Sequence, residues 1–460
     1  ASQIFHERLK QSEALNTWWN SIPAAKRTDF ETTLHQVETA TAYLGDEIVI
    51  AIPGGSKGNS PVVLAQLTKP GLDAFLRSQV PDAAKLEGHM RFDNGLFIAA
   101  GNAADLNRIT GGFRGTPLFQ HLAPAYQQGA SWLFGADLAH LPGVRPNVAG
   151  LADARFFVAE SRTVTGNTEN RASVSFAHDR QGIAAWLSAP GPMGSLDFVS
   201  PDAGFAATTL LKNPAVIVDD ITGMLSRTSG GGETSMTDSL RQEIASALGG
   251  EVTVALDGPL LPFPSWKLVA EIYYPERLQG AISRTVSDFN AKGVNERTGE
   301  LKLTQSESEG RIFYKLQFEK LPFEANWTFI DGYWLAAANH ELLVRSIQNR
   351  QTGYTLPKSA SFRTQLPHDA SSNFSGVVYH HLGQTLAPIA NLINSPQLNA
   401  LSKDDTPGVI CFWAQSDRID VATRGSIFGM NLESLLALQG AGPLKMLGQA
   451  ATGMKSGPKQ

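Results

Sequence analysis

The stretch Leu44-Gly45-Asp46-Glu47-Ile48-Val49-Ile50-Ala51-Ile52-Pro53-Gly54 returns in the second half of the chain as Leu248-Gly249-Gly250-Glu251-Val252-Thr253-Val254-Ala255-Leu256-Asp257-Gly258. Leucine, glycine, glutamate, alanine and the final glycine recur in register, and other pairs exchange one aliphatic residue for another. The run of β-branched and aliphatic residues predicts a strand in each copy. The recurrence indicates a duplicated unit built around that strand.

Two more blocks recur in the same order. Gly95-Leu96-Phe97-Ile98-Ala99-Ala100-Gly101-Asn102 matches Gly332-Tyr333-Trp334-Leu335-Ala336-Ala337-Ala338-Asn339, and a weaker match aligns Gly135 with Gly376. The spacing between matching residues grows along the chain, so the second copy carries insertions. Three matches in one order favour a domain duplication over chance.

The length of the chain, 460 residues, suits two domains of about 200 residues each better than a single core. Turn signals such as Asp93-Asn94-Gly95 favour hairpins over crossover helices. We therefore predict an α+β fold of two tandem homologous domains, each a mainly antiparallel sheet with helices packed on one face. The first repeat is predicted over residues 1–198, and the second over 199–460 with insertions and a C-terminal tail.

Local patterns predict several elements at and around the second repeat. Residues 206–211 are predicted to form a helix, and residues 183–188 a strand. Asn102 and Asn339 each precede a helical stretch in matching positions, which predicts that both are helix caps.

Composition argues against several classes of partner. The net charge is −5, and no run of Lys or Arg offers a surface for nucleic acid or an anionic membrane. No stretch approaches the ~20 apolar residues of a membrane span, so no integral membrane segment is predicted. The chain starts with Ala1 rather than Met, which leads us to expect an exported protein, periplasmic or extracellular. A signal peptide, an N-terminal anchor or a tag would then have been removed.

Sequence motifs for catalysis, metal or cofactor binding do not emerge. No G-x-S-x-G elbow occurs, and Gly54-Gly55-Ser56-Lys57-Gly58 has the wrong order for a phosphate-binding loop. His380 and His381 are neighbours on a predicted strand and point to opposite faces, so they do not favour one metal. The lone Cys411 lies in an apolar run and is predicted to be an inert core residue. We predict no metal and no cofactor, and the catalytic residues are unknown.

Glu47 and Glu251 hold the same place in the two copies of the repeated strand. A carboxylate kept in both copies either anchors a buried structural contact or lines a site. We favour the structural interpretation, because a duplicated framework retains its framework residues in both copies.

Aromatic residues are more frequent in the second repeat and supply the candidate binding residues. Most should pack in the core, but a minority on one exposed face could bind a protein or a ligand. The candidates are Trp266, Tyr273, Trp327, Tyr333 and Trp334.

The stretch Leu196-Asp197-Phe198-Val199-Ser200-Pro201-Asp202-Ala203-Gly204-Phe205-Ala206-Ala207 resembles a loosely defined bacterial family of exported or membrane-anchored tandem-domain proteins of unknown function. The resemblance implies repeated α+β modules, a helix after the Pro-Asp-Ala phrase, and a bacterial, exported setting. It implies no catalytic residue.

The leading hypothesis from sequence is an uncharacterised, exported, non-enzymatic interaction or scaffold protein whose partner is a protein or an unknown small ligand. Two alternatives stay open. One is a hydrolase-type enzyme, and the other is a carrier of an apolar or sugar ligand. Both place their site in a cleft between the domains.

Overall fold

The chain folds into two compact units, as seen in a computed structural model. The first comprises Ala1–Gln120 and Ala139–Val144, and the second His121–Leu138 and Arg145–Gln460. The two compact units separate near residue 120. The boundary predicted between residues 198 and 199 separates the two sequence repeats, and it stays a prediction. The structure describes residues 6–7, 9–10, 16, 19–20, 22–52, 61–79, 87–107, 109, 112–140, 152–217, 220, 238–291, 299–368, 373–393, 402 and 406–425. The predicted C-terminal tail and the glycine-rich loop at 54–58 lie outside these residues.

The first unit contains a four-stranded antiparallel sheet. Its strands are β1 (Leu44–Ala51), β2 (Val62–Leu67), β3 (Met90–Asp93) and β4 (Leu96–Ala100), and its helices are α1 (Ala24–Thr41), α2 (Leu72–Gln79) and α3 (Ala103–Asn107). The strand order is β1-β2-β4-β3. Asn94 and Gly95 join β3 to β4 with φ values of 49° and 75°, the left-handed pair that this two-residue turn requires. The predicted hairpin is therefore confirmed.

The second unit contains a thirteen-stranded sheet. Its strands are β5 (Trp132–Asp137), β6 (Ala154–Val164), β7 (Asn167–Phe176), β8 (Phe205–Leu210), β9 (Leu248–Leu256), β10 (Trp266–Ile272), β11 (Leu301–Ser308), β12 (Arg311–Phe318), β13 (Glu324–Ile330), β14 (Tyr333–Ala337), β15 (Gly376–His380), β16 (Gly408–Ala414) and β17 (Arg418–Arg424). The order is β11-β12-β13-β14-β10-β9-β8-β15-β16-β17-β7-β6-β5. The pairings are antiparallel, for example between β9 and β10 and between β17 and β7. The α+β class with mainly antiparallel sheets is confirmed.

Several helices accompany these strands. They are α4 (Pro117–Gln127), α5 (Asp238–Ala247), α6 (Pro275–Ala291), α7 (His340–Thr352), α8 (Ala360–Arg363) and α9 (Leu382–Ile393). The predicted caps are both present. The side chain of Asn339 accepts a hydrogen bond from the Leu342 amide at 2.8 Å, and Asn102 accepts one from the Ala104 amide at 2.9 Å.

The helix predicted over residues 206–211 is wrong, because this segment is strand β8. Ala206 and Thr208 are buried where β8 pairs with β9 on one side and β15 on the other. Pairing on both edges outweighs the helix propensity of alanine, which is a weak preference. The helix implied after the Pro-Asp-Ala phrase is wrong for the same reason. The strand predicted over 183–188 is also wrong, since a short 3-10 turn occupies Gly182–Ala185.

The two copies of the repeated stretch form β1 and β9, which have different neighbours. The four strands β9-β10-β14-β13 follow one another in the same order as β1-β2-β4-β3. However, β9 has a further strand, β8, on its other side, whereas β1 is the first strand of its sheet.

The core of the second unit lies against the middle of its sheet. One cluster surrounds β8, β15 and β16 and includes Val199, Tyr379 and Cys411. Cys411 is fully buried, and burial raises the pKa of its thiol to about 12. The inert character predicted for this cysteine agrees with such a setting.

Candidate functional site

The five candidate aromatic residues do not come together on one surface. Trp327 and Trp334 lie on the same face of the sheet. Trp327 of β13 pairs with Ala336 of β14, and Trp334 lies two residues before Ala336 on the same strand, so its side chain points to the same face. Tyr333, next to Trp334 along β14, points to the opposite face. Trp266 lies on the Trp334 face at the start of β10, and Tyr273 follows the end of β10, where it is 60% exposed.

Trp327 and Trp334 serve the core. Trp327 is 2% exposed, stacks on Tyr314 with ring centroids 5.7 Å apart, and donates a hydrogen bond to Gln279 of α6 at 3.0 Å. Trp334 packs against the cluster formed by α5, α6 and β10. The role of the five residues in binding stays a prediction, and the structure offers no shared patch for it.

Tyr333 belongs to a buried polar network on the opposite face. Its hydroxyl donates to Glu251 at 2.8 Å, and burial and the charge of Glu251 raise the pKa of Tyr333. The other oxygen of Glu251 accepts hydrogen bonds from the amide and hydroxyl of Ser195, at 2.7 and 2.5 Å. Glu251 therefore ties the segment around Ser195 to strand β9, which agrees with the structural role predicted for it. Glu47, its match in β1, is exposed, so the prediction of a buried contact is wrong for Glu47.

A second carboxylate fixes the other end of the same segment. Asp257, just after β9, accepts hydrogen bonds from the amide and hydroxyl of Ser200 at 2.9 and 2.5 Å. Lys267 of β10 reaches Asp257 at 2.5 Å and the carbonyl of Phe198 at 2.9 Å. The side chains of Lys267 and Asp257 are 0% and 2% exposed. Although burial opposes it, the Lys267 ammonium and the hydrogen bonds from Lys267 and Ser200 lower the pKa of Asp257.

These contacts form a unit that we call the latch, composed of Ser195, Ser200, Glu251, Asp257 and Lys267. Each carboxylate oxygen of Glu251 and Asp257 accepts a hydrogen bond. The side chain of Lys267 is fully buried. A buried and fully hydrogen-bonded group of this kind holds a segment in place rather than meeting a substrate. Sequence reasoning found Glu251 through the repeat and missed the rest, because the partners are far apart in the chain.

An exposed apolar strand edge is the most unusual surface of the first unit. Ile48, Val49, Ile50 and Ile52 are 45%, 44%, 68% and 67% exposed. We call these four residues the β1 edge. Among the described residues β1 pairs with β2 and with no other strand. The regular pairing begins at Ile48, after an irregularity between Leu44 and Ile48, so Asp46 and Glu47 lie outside it.

The repeat shows which strand pairs with the equivalent positions in the second unit, although Val254, the match of Ile50, stays 46% exposed there. On β9 the matching residues are Val252, Thr253, Val254 and Leu256, and they pair with Thr209, Thr208, Ala207 and Phe205 of β8. The exposed residues of β1 therefore occupy the positions at which β9 receives β8.

Of the three other edge strands of the two sheets, β3 and β11 carry charges that discourage further pairing, whereas β5 has Asp137 as its one charged residue. At the opposite edge of the first sheet, β3 is short and contains Arg91 and Asp93. In the larger sheet, β11 contains Lys302 and Glu307. Short or charged edges are the usual protection against unwanted strand addition. β1 is 8 residues long, and its regularly paired part, Ile48–Ala51, carries no charge.

Two observations on the described residues concern pockets and metal ligands. A groove lined by Thr304, Phe313, Lys315 and His340, with others, has a volume of about 230 Å³. Ligand pockets usually have roughly 300–1,000 Å³. In the described part of the chain, no three His, Cys, Asp or Glu side chains gather as metal ligands. Nor does any helix in that part combine the length and the apolar character needed to cross a membrane.

Comparison with known proteins gives weak neighbours. No protein-family model and no curated protein matches the chain. Among solved structures, crystal form III of TP0453, a bacterial protein, is 12% identical with a TM-score of 0.27, over 54% of this chain and 98% of that one. Crystal form I of TP0453 is 12% identical with a TM-score of 0.26 over the same shares. Similarity at this level carries no argument about function.

Proposed function

We propose that this chain is a non-enzymatic interaction protein that binds an extended polypeptide strand along the β1 edge. We also propose that the chain arose by domain duplication, which the sequence repeat supports. We further propose that it acts outside the cytoplasm, which the family resemblance supports. The observation that carries the binding proposal is the coincidence of the exposed β1 residues with the β9 residues that receive β8.

The physical driving forces for strand addition are present at this edge. An edge strand presents main-chain N–H and C=O groups in the geometry that another strand needs. Full burial of an aliphatic side chain stabilises by about 1.5–3 kcal/mol, and four such side chains here are between two-fifths and two-thirds exposed. Main-chain hydrogen bonds would align the partner, and the side chains of the β1 edge would select it.

Site-specific photo-crosslinking in the protein's own host tests this proposal. A photoreactive phenylalanine analogue replaces Ile48 in one variant of the full chain and Ile312 in another. The two residues match in type and in exposure, 45% and 46%, but Ile312 lies on β12, between β11 and β13. We expect position 48 to crosslink to one contiguous peptide of a discrete polypeptide, and position 312 to give no such product.

The proposal fails if position 48 yields no polypeptide crosslink beyond that of position 312. Proteolysis and mass spectrometry of the product identify the bound peptide. One contiguous peptide crosslinked at position 48 is the required result, whichever protein supplies it.

A further inference from the structure

We infer that the strand bound at the β1 edge is β1 of a second copy of this chain, paired antiparallel about a two-fold axis. This inference rests on the proposed function and names its partner. It follows from three features of the edge: its side-chain chemistry, its regular length and the position of its charges.

The first feature is that the β1 edge is aliphatic on both faces of the sheet, whereas β9 is not. On β9, Thr253 lies opposite Thr208 of β8, and the Ser195 hydroxyl contacts both, at 2.6 and 3.4 Å. The repeat places Val49 where β9 has Thr253. A strand like β8 would set a threonine against Val49, where the repeat supplies no counterpart of Thr253 for its hydroxyl to contact, whereas an aliphatic residue would pack against Val49.

The occupant that fits is therefore a strand with aliphatic residues on both faces. The regular stretch of β1 itself has this pattern, with Ile48 and Ile50 on one face and Val49 and Ala51 on the other, and Ile52 follows directly after it. Aliphatic and β-branched residues paired across strands stabilise a sheet.

The second feature is the register. The exposed aliphatic stretch runs from residue 48 to residue 52, one residue beyond the regular pairing of Ile48–Ala51 with β2. It is centred on Ile50, which is also its most exposed residue. A two-fold axis at this point sets Ile50 opposite its own copy, Ile48 opposite Ile52, and Val49 opposite Ala51. The same patch then faces itself on both copies, as a two-fold interface requires.

The third feature is charge. Asp46 and Glu47 lie before the regular stretch, so this register sets neither carboxylate opposite another. Like charges directly opposite each other destabilise paired strands. A register centred on residue 47 would place Glu47 opposite its own copy, so charge disfavours it. The pairing would join two four-stranded sheets into one of eight strands, with the short, charged β3 at each outer end.

A charge-swap experiment on the full chain tests the pairing. Sedimentation velocity over a wide concentration range compares the wild type with Ile50→Lys, Ile50→Glu and the control Ile312→Lys. We expect a concentration-dependent dimer for the wild type and for the control. Each Ile50 variant alone should dissociate at least about tenfold more readily, because two like charges meet across the axis.

An equal mixture of Ile50→Lys and Ile50→Glu should restore the dimer, because position 50 then carries opposite charges on the two copies. Unchanged circular dichroism and thermal melting show that each variant is folded. A monomeric wild type, a dimer insensitive to both Ile50 variants, or a mixture that stays monomeric overturns the inference. If such a result occurs while position 48 still crosslinks to a different polypeptide, the proposed function stands and the second copy is excluded as the partner.

Discussion

The contribution of the latch to stability can be tested at a single residue, Lys267. Lys267 is sealed from solvent beside Asp257, so a Lys267→Met substitution leaves a buried carboxylate without its cation. Breaking a buried pair on one side costs about 3–5 kcal/mol. We expect the free energy of unfolding of the second unit to fall by about that amount, measured by urea denaturation.

The matched control for this substitution is Lys315→Met. Lys315 reaches Glu324 at 2.6 Å, but the two side chains are 41% and 36% exposed. Exposed pairs contribute about 0–1 kcal/mol, since water and salt screen them. Equal losses for the two substitutions would show that the Lys267 contact does not hold the segment at Ser200 to the sheet.

At the scale of elements, local signals predict the turns well. Gly95 has a φ of 75° in the β3–β4 turn, and a Cβ added there would meet no atom within 4 Å. A Gly95→Ala substitution therefore tests backbone conformation alone, and the left-handed region costs an alanine about 1 kcal/mol. We expect hydrogen exchange of peptides from β2 and β4 over a urea series to report a loss of that size.

Gly115 provides the control for the turn, because it also has open space around a Cβ but its φ is not left-handed. Gly115→Ala should leave the first unit as stable as the wild type. A neutral Gly95→Ala would mean that the turn adopts another conformation in solution.

Elements whose conformation depends on their neighbours are poorly predicted from sequence. The turn at Asn94 and the cap at Asn339 are predictable because the side chains and backbone that decide them lie within a few residues. Strand β8 is not, since its two alanines favour a helix and its two threonines a strand, and the pairing with β9 and β15 decides the outcome. The latch could not be predicted from sequence either. Ser200 lies far along the chain from Asp257 and Lys267, and the three come into contact only in the folded sheet.

At the scale of the whole molecule, β1 and β9 show that similar sequence does not fix the environment of a strand. The repeat identifies the two as equivalent, and both are strands. Whether a strand ends a sheet or lies inside it depends on the presence of a neighbour such as β8, which the strand's own residues do not encode. The β1 edge, and with it the candidate site, is therefore visible only once the strand order is known.

Hydrogen exchange compares the two copies directly within one molecule. Half of the amides of an edge strand lack a partner strand, so residues 48–52 should exchange faster than residues 252–256 at low concentration. Raising the concentration should slow exchange at 48–52 and leave 252–256 unchanged, because a second β1 covers only the first set. Ile50→Lys should abolish this dependence. If 48–52 were as protected as 252–256 at every concentration in the Ile50→Lys variant as well, the chain itself would cover the β1 edge, and neither the strand-binding function nor the paired copies could hold.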